Sequence, residues 1–338
     1  MKSFFHKVNF FANKVRELSG KKVLILSHND ADGISSASIL SYVLYRLRIS
    51  FNTRILKELT PLEVNSLSSE GYDFYLISDH ASGLTNYLDE KIKNYLILDH
   101  HEIPEFEMNH DKVLNPWQFS IDGSSEISSS GICYFLSKEL DVNGGLCSSL
   151  ALIGALGDRQ DQGEGRKLYG LNEVIVKDAQ YANYLQVKKD LLIYGSETKP
   201  LHKLLAYLEE PLIPELFGKE DKCLAILNSY QINLKEGFKW RTLSDLSEEE
   251  KKNFLNIIAY YTKDIDSLIG ERYIFCYEEP HSPLRDAREY ATLLNACGRL
   301  RRSSLGISLA LGDRKILDLA NEILSDYRKR ILNYINMI

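Results

Sequence analysis

The sequence has no long apolar stretch and few cysteines. The 338 residues nowhere approach the roughly 20 consecutive apolar residues that a membrane-spanning helix needs, and polar residues interrupt the aromatic N-terminus. The five cysteines are scattered and form no CxxC pair, which argues against a zinc knuckle and a disulfide framework and favours a reducing compartment. We therefore expect a soluble, cytoplasmic protein.

Positive charge is also in deficit. The formal net charge is -6 and the isoelectric point is near 5.8, which argues against a protein that coats nucleic acid by bulk charge and leaves room for a local basic patch. Internal repeats and low-complexity segments are absent. The length allows two domains, and a hydrophobic content of 44% fits a folded globular chain.

Polar groups follow several short apolar runs in the first half of the chain. The run at 23–33, VLILSHNDADG, is followed by runs that end at Asp79 and His80, at Asp99 to His101, and at Asp158. Helix-like segments separate the runs, an alternation that predicts an α/β fold with a mostly parallel, doubly wound sheet flanked by helices. Ligands of such sheets bind at the carboxyl ends of the strands, where these side chains lie.

The remaining elements follow from periodicity and turn residues. The chain is predicted to open with an amphipathic helix, and a connection between domains is placed near Gly195, where proline and glycine become frequent. Predicted helices span 84–93, 130–140, 148–156, 286–297 and 315–335, a capping box at 247–250 precedes a helix that runs to 261, and predicted strands span 272–277 and 306–311.

The pattern of acids and histidines predicts a metal centre. In an extended segment His28, Asp30 and Asp32 project to one side. Six side chains then suffice to bind two metal ions: His28, Asp30, Asp32, Asp79, His100 and Asp158. Hard oxygens mixed with imidazole suit manganese, and magnesium next. Two such ions activate a bridging water for attack at phosphorus, so the pattern indicates phosphoester hydrolysis.

Each of these residues also has an ordinary structural reading. An aspartate after a strand is often a helix cap, and a lone histidine is often a hydrogen-bonded core residue. The convergence of four such strand or helix ends favours the metal reading. Asp99 is interpreted as a residue that orients His100 rather than as a ligand, and His80 either contacts phosphate or forms a simple hydrogen bond.

These motifs together resemble those of the DHH superfamily of phosphoesterases. The resemblance rests on HNDADG at 28–33, Asp79, the triplet at 99–101 and Asp158 in GALGDRQD. It implies that Asp30 and Asp79 bind one metal, and that Asp79 bridges to a second. The second metal would be held by Asp32, Asp79, His100 and Asp158. The catalytic residues would be Asp79 and His101, with His101 facing the scissile phosphate.

The C-terminal stretch at 285–313 resembles the DHH-associated domain in its archaeal RecJ-like form, the group that includes the nuclease associated with the GINS replication complex. The implied organisation is a DHH catalytic domain at 1–195, a connector and helical linker at 196–264, and a smaller α/β DHH-associated, substrate-binding domain at 265–338. The double-glycine-and-histidine signature of bacterial RecJ is missing.

Arginines are concentrated in this C-terminal stretch. Guanidinium groups bind phosphate through paired hydrogen bonds, so Arg285, Arg288, Arg299 and Arg302 are predicted to bind substrate phosphates. The alternative is a solvated face whose arginines pair with neighbouring helices.

The predicted function is a metal-dependent exonuclease that hydrolyses single-stranded DNA or RNA by two-metal catalysis, with roles in DNA replication and repair or RNA processing. The expected partners are the nucleic acid and GINS-like replication proteins, with no membrane. The alternatives are a phosphodiesterase for short oligonucleotides or small nucleotides, and a replisome-associated scaffold with little activity.

Overall fold

A five-stranded parallel sheet forms the centre of the N-terminal half. The computed structural model describes residues 1–335 except 106, 107, 109 and 143, with side chains described up to residue 331. The strands are β1 (Lys22–His28), β2 (Ser50–Leu56), β3 (Phe74–Ser78), β4 (Tyr95–Leu98) and β5 (Val113–Leu114). Their order is β2-β1-β3-β4-β5, and each neighbouring pair is parallel. The predicted α/β class with a parallel sheet is confirmed.

Helices cover both faces of this sheet. They are α1 (Lys2–Arg16), α2 (Ala31–Arg46), α3 (Pro61–Leu67), α4 (Thr85–Lys91), α5 (Ser129–Glu139), α6 (Gly145–Gly157) and α7 (Leu171–Tyr181). Leu24, Leu26 and Ile77 of the strands pack with Val64 of α3 and Leu88 of α4 on one face. On the other face α2 contacts β1 and β2, and α5 contacts β3 and β4. Strands buried on both sides explain the unbroken apolar runs of the sequence.

Helix α2 is buried nearly all round, because it lies between the sheet and other helices. It packs against α5, α6 and β1, and 13 of its 16 residues are buried, including Asp32. The buried surface of α2 is therefore much wider than the single apolar stripe of an ordinary surface helix. The residues that open α2 are held in a dense environment on every side.

A second compact unit comprises residues 163–167 and 183–290. It contains β6 (Leu185–Leu191), α8 (Leu201–Ala206), α9 (Glu220–Ser229), β7 (Lys235–Glu236), β8 (Lys239–Trp240), α10 (Glu248–Tyr261) and β9 (Ile269–Phe275). β6 pairs antiparallel with β9, and a hydrophobic core joins Leu205, Leu227 and Phe254 from its three helices. The predicted capping box is present, since Ser247 Oγ accepts from the amide of Glu250.

The last part of the chain is helical. It consists of α11 (Ala287–Arg299), α12 (Ser303–Ala310) and α13 (Leu317–Ile335). The strand predicted at 306–311 is wrong, because most of that segment belongs to α12. A short apolar run fits a buried strand and a buried helix equally well.

The compact units do not coincide with the predicted domain boundaries. Residues 1–162, 168–182 and 291–338 form the first unit. The segment 265–338, predicted as one substrate-binding domain, is therefore divided between the two units. In the described part of the chain, no helix is long and apolar enough to cross a membrane.

Candidate metal centre

Three adjacent strands deliver acids and imidazoles to one edge of the sheet. His28 ends β1, Asp79 directly follows β3, and His100 lies just beyond β4. Because β3 lies between β1 and β4, Asp79 emerges between the two histidines. A central position is what a bridging carboxylate requires.

All six predicted ligands are brought together in two groups that share Asp79. In each group the potential ligand atoms lie within 4.8 Å of one another. The first group is His28, Asp30 and Asp79, and the second is Asp32, Asp79, His100 and Asp158. A third combination, Asp79, His100 and His101, satisfies the same criterion.

Asp79 is buried and adopts an unusual backbone conformation. Its φ of 57° lies in the left-handed region, which aspartate tolerates better than most residues. Its Oδ1 lies 3.5 Å from His100 Nε2 and its Oδ2 lies 3.6 Å from His28 Nδ1. Burial alone would raise the pKa of Asp79, but the nearby imidazoles of His100 and His28 hold it well below its ordinary value. The carboxylate is therefore ionised and available to a cation on both sides.

Asp32 is held by the N-terminus of α5. Its Oδ2 accepts a hydrogen bond from the amide of Ser129 (2.8 Å) and its Oδ1 accepts from the amide of Ser130 (3.0 Å). Burial, followed by the negative charge of Asp79, raises the pKa of Asp32 to about 6. The N-terminus of α5 fixes the orientation of the Asp32 carboxylate and favours its negative charge, which the other acids of the group repel.

The tautomer of His100 is fixed from outside the group. Its Nδ1 donates to the carbonyl oxygen of Gly123 at 2.7 Å, so Nε2 faces the acids and lies 3.3 Å from Asp158 Oδ2. Gln160 donates to the same Gly123 carbonyl at 2.8 Å, and Asn172 donates to Gln160 at 2.7 Å. This chain of hydrogen bonds is the kind of support that metal-binding histidines have.

The buried atoms at the centre have no hydrogen-bond partner. Within the described residues this holds for Asp79 Oδ1, His100 Nε2 and Asp158 Oδ2. Burial, then the charge of Asp32, raises the pKa of Asp158 well above its usual range. Buried polar atoms without partners are costly, and a divalent cation would satisfy all three while relieving the repulsion. The donor set of oxygens and imidazole fits manganese or magnesium.

The first group is more open and includes an arginine contact. His28 Nδ1 bonds to Asp30 Oδ2. Arg299 Nη2 lies 3.4 Å from the same oxygen, and its Nη1 lies 3.4 Å from Asn29 Oδ1. Burial alone would lower the pKa of His28, but bonding to Asp30 and Asp79 raises it to about 10. Two positively charged groups, His28 and Arg299, therefore lie next to Asp30, at the position that a bound cation would take.

Asp99 and His80 have hydrogen-bonding roles in the structure. Asp99 Oδ1 accepts from His101 Nδ1 at 2.8 Å and from the amide of His100, and its Oδ2 accepts from the amide of Ser82. It thus orients His101, whereas the sequence suggested His100. The Asp99 bond raises the pKa of the half-exposed His101. His80 Nε2 lies 3.4 Å from the Leu56 carbonyl oxygen.

The predicted phosphate-binding arginines are distributed over both units. Arg299 contacts the first group, and Arg302 is exposed without a side-chain bond inside the described ranges. In the second unit, Arg285 donates to the carbonyl of Glu278 at 2.5 Å, and Arg288 donates to that of Glu271 at 2.7 Å.

Sequence reasoning missed several supporting residues. Gly123 and Gln160 set the orientation of His100, and Asn295 accepts a hydrogen bond from the Ala31 amide at 2.8 Å. Gln160 lies in the GALGDRQD segment, which could have drawn attention to it. Asn295 lies 264 residues away from Ala31 and carries no signal in the sequence.

This geometry defines a class: α/β proteins with a cluster of acids and imidazoles able to hold metal at the carboxyl edge of a parallel sheet. Two family models match the chain, "DHH family, N-terminal domain" over residues 22–157 and "DHH-CID domain" over residues 193–265. An uncharacterized protein of Methanocaldococcus jannaschii is 29% identical over 322 residues, which cover 94% of this chain and 70% of that protein.

Solved structures share the fold. CDC45 from Entamoeba histolytica matches with a TM-score of 0.69 and 13% identity, covering 97% of this chain and 72% of CDC45. An exonuclease RecJ bound to manganese matches with a TM-score of 0.51 and 16% identity, covering 95% of this chain and 64% of that RecJ. The chain therefore contains a DHH-family domain and a DHH-CID domain and shares its fold with CDC45 and RecJ, and the DHH-family match supports a hydrolase.

Proposed function

We propose that the protein is a metal-dependent exonuclease that acts on single-stranded DNA or RNA. The observation that carries the proposal is the pair of ligand groups that meet at the buried carboxylate of Asp79. A single structural ion would need only one group. A shared carboxylate is the arrangement that two-metal hydrolases use.

The two groups divide the proposed metal ligands. His28, Asp30 and Asp79 would hold one ion, and Asp32, Asp79, His100 and Asp158 the other. When bound, the ions would supply an activated water and neutralise the charge that develops on the phosphate. The fold likeness to a RecJ bound to manganese supports manganese as the metal, with magnesium as the alternative.

His101 is the proposed phosphate contact. Its imidazole is 56% exposed, whereas that of His100 is 9% exposed. The Asp99 carboxylate fixes the ring through Nδ1 and favours the protonated form, so Nε2 can donate to a phosphate oxygen. A positioned donor of this kind stabilises charge in the transition state.

Arg299 and Arg302 are the proposed arginine contacts of the substrate. Arg299 already lies next to Asp30, so its guanidinium is at the first group. Arg302 is exposed three residues further along the chain. Arg285 and Arg288 stay predictions, and their bonds to backbone carbonyls also fit a structural role.

A hydrolysis assay also distinguishes two other candidate functions. The fold is shared with CDC45, which keeps a scaffold for GINS-like replication proteins as a second candidate. A protein that only scaffolds has no need for three buried unpartnered ligand atoms, and this favours the enzyme. A phosphodiesterase for short oligonucleotides would lose rate as the substrate lengthens.

The deciding experiment offers single-stranded DNA and RNA, labelled at either end, with manganese or magnesium. We expect stepwise shortening from one end with either ion, and the label that disappears first gives the polarity. Absence of hydrolysis with every metal and substrate would contradict the proposal and favour the scaffold.

Asp79→Asn is the most informative variant. Asparagine tolerates the left-handed backbone of this position but removes the shared charge, so we expect hydrolysis to fall by about 10³-fold or more, within the several kcal/mol that metal catalysis supplies. Thermal unfolding should change little. The matched control is Asp73→Asn, before the other end of β3, and it should keep full activity.

A further inference from the structure

We propose that Asn295, on helix α11, is a positioning residue for the proposed metal ligand Asp30. The inference rests on the proposed function, since it concerns how one of the two metal groups is held. In the described structure the side chain of Asn295 forms its hydrogen bond with the backbone of Ala31 and not with a proposed ligand side chain. Its effect would pass through the backbone of the 28–33 segment.

The first link is a hydrogen bond to the start of α2. The side-chain Oδ1 of Asn295 accepts from the amide of Ala31 at 2.8 Å. Ala31 is the first residue of α2, and amides in the first turn of a helix lack intrahelical acceptors. This amide belongs to the peptide unit that joins Asp30 to Ala31. The hydrogen bond therefore fixes the orientation of the peptide plane that follows Asp30.

The second link is a close backbone approach one turn further along α11. At Gly298 a Cβ atom would lie 2.1 Å from the carbonyl oxygen of Asn29, so only glycine permits this contact. The helix thus touches both peptide units that flank Asp30. A helix that packs this tightly leaves the segment little freedom.

The third link is Arg299, which reaches Asn29 Oδ1 and Asp30 Oδ2 at 3.4 Å each. Asn295, Gly298 and Arg299 are spaced i, i+3 and i+4, so they share one face of α11. All three belong to the same compact unit as the metal ligands. One helical face therefore holds the backbone and side chain of a single ligand.

The arrangement predicts an effect on one metal only. The second group depends on Asp32, which the amides of Ser129 and Ser130 hold, and on His100, which Gly123 holds. Neither support involves α11. Loss of the Asn295 bond should therefore weaken the His28, Asp30 and Asp79 site and spare the other.

The test is a manganese titration of the full chain, followed by electron paramagnetic resonance and calorimetry, with thermal unfolding measured alongside. For the wild type we expect two bound ions. Asn295→Leu, which keeps the size but removes the acceptor, should weaken one site by about 10–100-fold, as loss of a ligand's hydrogen-bonded support does, and leave the other unchanged. Asn295→Asp retains the acceptor oxygen and should restore two sites.

The control is Ser304→Ala, an exposed position on α12. Selective loss of one site at an unchanged unfolding temperature supports the inference. Two sites of wild-type affinity in Asn295→Leu would overturn it, and so would equal weakening of both sites with a lowered unfolding temperature, which indicates simple helix docking. A wild-type protein that binds no manganese would instead overturn the proposed metal centre itself.

Discussion

At the scale of single residues, the buried carboxylates of the site divide between proposed metal ligands and a residue that orients an imidazole. Asp79 presents an oxygen without a hydrogen-bond partner in the described structure, whereas both oxygens of Asp99 accept hydrogen bonds. Burial alone would raise the pKa of Asp99, but bonding to His101 lowers it to about 2. Asp99 is therefore ionised and already occupied, which suits a residue that orients His101.

This difference leads to a prediction for Asp99→Asn. The amide cannot match the charge that favours protonated His101, so we expect the rate of hydrolysis to fall by about 10–100-fold, as for other residues that orient an active-site imidazole. Manganese affinity should change much less than the rate, because Asp99 belongs to none of the candidate ligand groups. Steady-state kinetics and calorimetry separate the two quantities.

The control for this variant is Asp89→Asn. Asp89 also pairs with a histidine, since its Oδ2 lies 3.2 Å from His110 Nε2, but it is absent from the metal-ligand groups. Its substitution should leave both rate and affinity unchanged. Equal loss of metal affinity in Asp99→Asn would show that Asp99 is a ligand after all.

Some residues of the site could be predicted from the sequence, and others could not. The six side chains proposed as ligands could be picked out because most of them follow the apolar runs of β1, β3 and β4, and parallel strands bring their carboxyl ends to one edge, whereas Asp158 follows helix α6. Gly123 contributes a carbonyl oxygen and Asn295 a contact 264 residues away in the chain. A backbone group has no residue-type signature, and a single distant hydrogen bond leaves no spacing to recognise.

At the scale of elements, the close packing of α6 against α5 and α2 positions Asp32. At Gly154 of α6 a Cβ would lie 2.1 Å from Ser130 Oγ and 2.2 Å from Asp32 Oδ1. We expect Gly154→Ala to lower the free energy of unfolding by about 2 kcal/mol through overpacking and to weaken metal binding by displacing Asp32. Denaturant unfolding and manganese titration would measure the two effects.

Gly306→Ala is the matched control for this helix contact. Gly306 also lies inside a helix that packs on α2, but there a Cβ would meet its nearest neighbours at 3.2 Å. The milder crowding is offset by the better helix propensity of alanine, which is worth up to about 1 kcal/mol. If Gly154→Ala were as stable as Gly306→Ala, the packing argument for Asp32 would fail.

Elements with a clear period were predictable and those without one were not. The helices at 130–140 and 315–335 were found within a few residues of α5 and α13. Strand β6 was missed, because LQVKKDL carries its apolar residues mostly at its ends. Its pairing with β9 depends on long-range contacts that leave no local pattern. The segment of α12 contains mainly small and aliphatic residues, so its burial was clear and its conformation was not.

At the scale of the whole molecule, chain order and compact units differ. The described residues from 291 to 335 belong to the unit that contains the proposed metal ligands, although residues 183–290 intervene in sequence. Leu293, Leu294 and Leu309 are fully buried there. The linear prediction of a catalytic domain at 1–195 has no means of including a segment that returns from so far away.

This organisation leads to a prediction for fragments. Residues 1–195 alone would expose the surface of α2 that α12 covers and would lose the bond between Asn295 and Ala31. Exposed apolar surface of this kind drives association, so we expect aggregation, dye binding to apolar surface and no cooperative unfolding.

A chain that joins residues 1–182 to 287–338 through a flexible glycine and serine linker keeps the first unit complete. It should stay monodisperse, unfold cooperatively and bind manganese, as judged by light scattering, circular dichroism and calorimetry. Cooperative unfolding of the 1–195 fragment would show instead that the C-terminal helices are dispensable for the catalytic fold, and binding of two manganese ions with the affinities of the full chain by that fragment would remove the reason to assign Asn295 a part in the site.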